Sequence, residues 1–199
     1  MFKNTLLALL LSTSIATPAI AETKTAIFAG GCFWCIESDF ENVKGVTDVI
    51  SGYSGGITDN PTYKNHVAGN HREVVKITFD DSIVSYDKLL YSFWRSVDPT
   101  DGGGQFCDRG HSYTTAIYAV DEEQFKIAEA SKLATGKELK DPIVTPILNA
   151  AKFYPAETYH QDYYKKNPLR YSFYRRGCRR DATVEAIWGD QAHAGIEKH

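Results

Sequence analysis

The strongest constraint in this chain is the passage Ala26-Ile27-Phe28-Ala29-Gly30-Gly31-Cys32-Phe33-Trp34-Cys35-Ile36-Glu37, where a short apolar run stops at paired glycines and a cysteine opens the next segment. Such a run reads as a strand, a tight turn and a helix start. A thiol at a helix N-terminus faces unpaired backbone N–H groups and the positive end of the helix dipole, and both favour the thiolate. Cys32 is therefore the candidate nucleophile, set against the plainer reading of a buried or disulfide-bonded cysteine. Phe33 and Trp34, directly behind it, offer a flat apolar wall suited to a thioether or methyl group.

The rest of the chain supplies a frame for that passage. Residues 25–29 read as strand, and Phe33, Ile36, Phe40 and Val43 recur at helical spacing before Gly45 stops the helix. Residues 46–53 return as strand. Residues 54–72 have no period and are rich in Gly, Asn, Thr and Pro, and a loop of that length inside a compact domain is usually functional. Glu73 to Phe79 alternates as a half-buried strand that begins at a carboxylate. Ser85 is placed to cap a helix whose core face is Tyr86, Leu89, Leu90, Phe93, Trp94 and Val97. A second long loop, residues 98–112, carries Gly102-Gly103-Gly104 and Cys107 and leads into a strand over residues 114–120.

The resulting order, βαββαβ, is the split βαβ or ferredoxin-like plan of the α+β class, a two-layer α/β sandwich with long loops. Beyond it, Asp121 caps a helix ending near Gly136, and residues 143–148 read as an edge strand because Pro146 cannot donate to a ladder. Residues 155–166 read as a short helix, and the basic tract 170–180, which contains Cys178, reads as an irregular tail.

A chain of 199 residues with 43% hydrophobic residues can bury a core of its own, and a net charge of −3 leaves no basic surplus for nucleic acid. Residues 1–21 combine Lys3, a Leu-rich run from Leu6 to Leu11 and the small-residue end Ala19-Ile20-Ala21, the pattern of a cleaved secretory signal. The run is too short to span a membrane. The expectation is export to the periplasm or medium, with residues 22–199 as one catalytic domain, soluble and without membrane insertion once the signal is removed. An oxidising compartment lets disulfides persist, so the four cysteines, 32, 35, 107 and 178, can serve redox chemistry as readily as stapling.

Further motifs accompany the Gly-Cys-Phe-Trp-Cys-Ile-Glu passage: Asn60-Pro61-Thr62-Tyr63, Gly69-Asn70-His71-Arg72-Glu73-Val74-Val75, Asp98-Pro99-Thr100-Asp101, Asp108-Arg109-Gly110-His111-Ser112-Tyr113, Phe153-Tyr154-Pro155-Ala156-Glu157 and His160-Gln161. In content and order they resemble those of the peptide methionine sulfoxide reductase A family, over about residues 25–180. The resemblance implies reduction of methionine-S-sulfoxide, free or in proteins, with no cofactor and no metal. Sulfoxide sulfur becomes electrophilic when its oxygen is protonated, so the reaction needs a thiolate and a nearby acid. Cys32 and a largely neutral Glu73 fit those roles, and the resemblance adds Tyr63 and Tyr113 as donors to the oxygen and Asp108 as a substrate-binding carboxylate. It also implies a resolving cysteine in a flexible C-terminal tail, matched by Cys178, and a thioredoxin-like electron donor acting on a monomer.

Cys35 and Cys107 depart from the best-known pattern and remain as additional redox candidates. Arg175, Arg176, Arg179 and Arg180 around Cys178 are expected to lower its pKa. A thioredoxin-like oxidoreductase would also place Cys-x-x-Cys at a helix start, although long loops and the split βαβ order suit it poorly. A metal module using Cys32, Cys35, His66 and His71 lacks a usual ligand spacing. A c-type haem attachment is excluded because Ile36 stands where a histidine is needed.

Overall fold

The computed structural model describes residues 23–197; the expected leader, residues 1–21, lies outside them. Strands β1 (Thr23–Ala29), β2 (Val46–Ser54) and β3 (Arg72–Asp80) enclose helix α1 (Phe33–Glu41), and helix α2 (Tyr86–Trp94) follows β3. A two-residue hairpin, β4 (Gly104–Gln105) and β5 (Asp108–Arg109), and a 3₁₀ turn at His111–Tyr113 lead to β6 (Ala116–Ala119). Then come α3 (Glu122–Leu139), β7 (Ile147–Asn149), β8 (Tyr154–Pro155), α4 (Tyr163–Lys166), α5 (Pro168–Gly177) and α6 (Arg180–Trp188).

The main sheet runs β7-β6-β1-β3-β2-β8. Its inner four strands are antiparallel neighbours in the order expected of a split βαβ core, with β3 between β1 and β2. Alternation on β3 explains its central place: Val75, Ile77 and Phe79 are fully buried and pack with Phe28, Phe40, Leu89, Phe93 and Trp94 under α1 and α2. Ser85 caps α2 and Asp121 caps α3 through bonds from the N–H groups of Lys88 and Gln124. No helix among the described residues is long and apolar enough to cross a membrane.

Three expectations change. Helix α3 runs past Gly136 to Leu139 and ends at Lys140 in the left-handed region, φ 57°. The segment expected as a helix over residues 155–166 opens instead with β8, which pairs with Gly52 and Tyr53 of β2, so only its last turn is helical. The tail expected to be irregular forms α5 and α6. Pro168 at the first position presets φ for a helix, and two arginines of the basic tract are paired. Arg175 meets Asp39 at 2.8 Å and Asp181 at 2.6 Å, and buried Arg180 donates to the carbonyls of Gly30 at 3.1 Å and Ser96 at 2.8 Å. This folded tail covers the outer side of α1, which is why Cys35, Glu37, Ser38 and Asp39 are buried as well as the sheet-facing Ile36 and Phe40.

Candidate active site

The turn before α1 is built for close approach. Gly31 has φ 85°, and a Cβ there would lie 2.6 Å from Cβ of Gln105, so only glycine brings the strand end this near the hairpin. Cys32 then serves as the N-cap residue of α1 with no side-chain cap bond, leaving its sulfur directed to other partners. It lines a cavity of about 50 Å³ together with Phe33, Trp34, Tyr63, Glu73, Asp108, Tyr113 and Tyr174. Five segments distant in sequence thus meet: the α1 start, the long loop after β2, the start of β3, the hairpin with its 3₁₀ turn, and α5. A larger surface cavity, about 730 Å³ between Arg175, Asp181 and His193, contains no cysteine.

Glu73 is 2% exposed, and its Oε2 accepts the backbone N–H of Phe33 at 2.9 Å. Burial raises its pKa to about 8, against the opposing pull of that hydrogen bond. His66, also buried, places Nε2 3.7 Å from Oε1 of Glu73. Burial lowers the His66 pKa while it raises that of Glu73, so this contact joins two neutral groups rather than an ion pair. Glu73 is accordingly a carboxylic acid at neutral pH. Burial first, and then the charge of Glu73, raises the phenols of Tyr63 and Tyr113, which stay protonated.

The thiol of Cys32 departs from the helix-dipole expectation. Burial, reinforced by a hydrogen bond to Cys35, pushes its pKa well up, because desolvating the anion outweighs the N-terminal field. Cys35 accepts from Cys32 and is pulled down, first by that bond and then by Arg180 and Arg175. Both thiols are free and buried, in a cluster with Tyr163 and Tyr171.

The remaining expected residues have defined supports. Phe33 is packed against Tyr53 and the His160 ring. Trp34 stacks on Tyr163, centroids 3.7 Å apart and planes 5° from parallel, and its indole N–H donates to Nδ1 of His160 at 3.0 Å. Asp108, its pKa raised by burial, accepts the Tyr174 hydroxyl.

Cys178 caps the end of α5 and is disulfide-bonded to Cys107 of the hairpin, Cα atoms 4.9 Å apart. It is neither in a loose tail nor, in this state, free to attack a sulfenic acid. Two of its four neighbouring arginines, Arg175 and Arg180, are committed to Asp39, Asp181 and backbone carbonyls instead. Gly177 belongs to helix α5. Among the described residues, the grouping suited to a metal is Cys107, Asp108 and Cys178, whose two sulfurs are joined to each other; His71 is instead bonded to Gly56 and Thr58.

Sequence reasoning gave no role to Tyr174, His66, His160, Tyr163 or Glu157. Glu157 accepts the Tyr63 N–H at 3.0 Å and the Tyr53 hydroxyl at 2.9 Å, and so seats the loop that carries Tyr63. The motifs containing Glu157 and His160 were visible, but nothing local in them announces partners about a hundred residues away.

The family model described as peptide methionine sulfoxide reductase matches residues 24–192. The chain is 58% identical over 176 residues to the peptide methionine sulfoxide reductase MsrA 2 of Rhizobium meliloti, covering 88% of this chain and 89% of that one. Among solved structures, reduced Mxr1 from Saccharomyces cerevisiae superposes with a TM-score of 0.70 at 28% identity, covering 76% of this chain and 88% of that one. Methionine sulfoxide reductase A of Corynebacterium diphtheriae does so with a TM-score of 0.67 at 33% identity, covering 77% and 78%.

Proposed function

The chain belongs to the peptide methionine sulfoxide reductase family, and from that premise we propose how its cavity reduces methionine-S-sulfoxide, free or in oxidised proteins. The observation that carries the reading is a protonated carboxylic acid and a reactive thiol on one small cavity: Glu73, with its pKa near 8, opposite Cys32.

The methyl group rests against Trp34 and Phe33, whose apolar faces suit it and the sulfur. Tyr63 and Tyr113 donate to the sulfoxide oxygen, and Glu73 gives it a proton, making the sulfur electrophilic. Cys32 attacks the sulfur as its own proton passes to the Glu73 carboxylate, restoring the acid. Oxygen transfer yields methionine and a Cys32 sulfenic acid, and condensation of that acid with a second thiol releases water and leaves a disulfide. A thioredoxin-like dithiol returns the enzyme to its reduced form. Asp108 and Tyr174 close the wall beside the sulfur and shape the substrate-binding surface.

The leader pattern of residues 1–21 supports export to the periplasm or medium, with residues 22–199 acting there as a monomeric repair enzyme. N-terminal sequencing of the exported protein tests the cleavage, and sedimentation tests the monomer.

The decisive experiment is turnover of a methyl sulfoxide with dithiothreitol, run separately on each sulfur epimer. Consumption of the S epimer alone is expected. Turnover of neither epimer would end the reading.

A further inference from the structure

We infer that His66 is a positioning residue for the acid of this reaction: its imidazole presents a bare nitrogen to Oε1 of Glu73 and keeps the proton on that oxygen until a sulfoxide takes it. The inference rests on the reductase reading of Cys32 and Glu73 and adds the group that readies the acid. His66 stands between the motifs Asn60-Pro61-Thr62-Tyr63 and Gly69-Asn70-His71-Arg72-Glu73-Val74-Val75 and belongs to neither.

Three observations carry it. The first is the tautomer. Nδ1 of His66 lies 3.0 Å from the carbonyl oxygen of Tyr63, and a carbonyl only accepts, so Nδ1 carries the hydrogen. Burial lowers the pKa of the ring and keeps it neutral. Nε2 is therefore a lone pair. It has no hydrogen-bond partner although the residue is 1% exposed, and an orphaned polar atom at that depth calls for one.

The second is the atom it faces. Nε2 lies 3.7 Å from Oε1 of Glu73. Oε2 already accepts the Phe33 N–H, which leaves the acid proton to Oε1. A donor and an acceptor thus face each other at more than hydrogen-bond length, a gap of the kind that closes when an active site fills. An acceptor for the neutral acid favours that form over the carboxylate.

The third is the fixity of the ring. It lies between Tyr53 and Tyr63, with centroids 5.0 and 5.5 Å away and planes 24° and 28° from parallel, and meets Tyr113 edge-on. Glu157 ties both flanking residues, accepting the Tyr53 hydroxyl and the Tyr63 N–H. The loop that brings Tyr63 to the cavity therefore also aims the lone pair.

The protons balance within the site. Glu73 gives its proton to the sulfoxide oxygen, the Cys32 proton returns to Glu73, and the oxygen ends as the hydroxyl of the sulfenic acid. While Glu73 is a carboxylate, the lone pair of His66 repels it and favours that return. His66 stays neutral throughout.

Other ionisable groups face the pair from each element packed on it. Burial raises Glu73 against the Phe33 bond, with Asp108 and Cys35 adding to the rise. Cys32, Tyr53, Tyr63 and Tyr113 feel the charge of Glu73, and His71 and Glu157 act on His66. The test leaves all of them in place.

That test pairs His66→Asn with His66→Gln. Asparagine keeps a donor where Nδ1 stands and loses the acceptor, whereas glutamine carries a carbonyl oxygen near the place of Nε2. Both lose the ring, so the difference between them isolates the acceptor. Single-turnover sulfide formation from a methyl sulfoxide is followed across the falling limb, which in wild type lies at about 8. Losing the acceptor lowers the pKa of Glu73, so His66→Asn should move the limb down by about one unit and His66→Gln should leave it near the wild-type position. A limb unmoved in His66→Asn, or displaced equally in both variants, would overturn the inference. Nitrogen-15 NMR of the histidine rings in wild type reads the same contact without a substitution: Nε2 of His66 should be bare and should respond as Glu73 titrates. A hydrogen on Nε2, or a resonance unmoved through the limb, would also overturn it. Either result with sulfide still formed by wild type leaves the reductase reading standing, and no sulfide from wild type would end both.

Discussion

The backbone N–H of Phe33 donates to Oε2 of Glu73 across 2.9 Å, so the residue after Cys32 and the Glu73 carboxyl are one bond apart although 40 positions separate them in the chain. The bond fixes where the carboxyl points. It leaves Oε1 to His66 and the cavity side, and burial keeps the proton on.

Glu73→Gln tests the acid. The amide still accepts the Phe33 N–H, so the α1 start should stay in place, but it carries no acidic proton. The sulfoxide step, read in single turnover, should fall roughly 10²-fold or more. The wild-type rate should decline as pH rises through about 8 with loss of the Glu73 proton, and the variant should lack that limb. Equal rates for the two proteins would place the acid elsewhere.

The same substitution makes a stability prediction of definite sign. The folded pKa of Glu73, about 8, lies above its ordinary value of 4.5, so the folded state holds the proton that the unfolded state has lost between those values. Wild type therefore loses stability from this group as pH rises from 4.5 to 8, by as much as about 1.4 kcal/mol per unit where the difference is complete. Glu73→Gln has no such term. Denaturant melts of both proteins at pH 5 and pH 8 should show the variant gaining relative to wild type, and a gap independent of pH would contradict the buried, neutral acid.

Much of this arrangement was legible in the sequence, and the reason is local. The glycine pair, the alternation of β3 and the Ser85 cap each act within a few residues, which suffices to give the order of the core elements and to mark Cys32, whereas Glu73 took its role from the resemblance to a known family. What local pattern cannot carry is pairing across the fold. Arg175 and Arg180 read only as part of a basic tract around Cys178 because Asp39, which meets both, lies more than a hundred positions away on α1. Without that partner the tail reads as irregular. The Cys107–Cys178 bond, the Tyr174–Asp108 hydrogen bond and the burial that raises Cys32 above the dipole expectation all depend on the same hidden folding of the tail.

Cys32→Ser should abolish sulfoxide reduction and leave the circular dichroism spectrum unchanged. Serine nearly matches cysteine in size, but its hydroxyl is not ionised at neutral pH and is a poor attacker of sulfur. Measurable single turnover by this variant would remove Cys32 from the mechanism.

Gly31→Ala should cost about 2 kcal/mol or more. A left-handed backbone costs a non-glycine residue roughly 1–2 kcal/mol, and the new Cβ would meet Cβ of Gln105 at 2.6 Å. Gln105 has little room to yield, since its amide is bonded to the Asp98 carbonyl at 2.7 Å and accepts the Asp98 N–H at 2.9 Å. The turn that presents Cys32 would have to shift, so activity should fall with stability. An unchanged urea midpoint would show that the hairpin moves more freely than these bonds allow.

The Cys107–Cys178 bond closes a span of 71 residues between the hairpin and the end of α5. Constraining a loop of that size in the unfolded chain is worth about 4 kcal/mol in the chain-entropy model. In a domain of this size each kcal/mol shifts Tm by roughly 2–4 °C, so Cys178→Ser should lower Tm by about 10 °C. The hydrogen bond from Tyr174 to Asp108 ties the same two segments, yet it spans side chains already held close and adds no constraint to the unfolded state. Tyr174→Phe should therefore lower Tm far less than Cys178→Ser. Calorimetry on both variants decides this: equal small shifts would mean that the covalent tie contributes no more than the hydrogen bond beside it, and that packing of α5 on α1 alone holds the cavity wall.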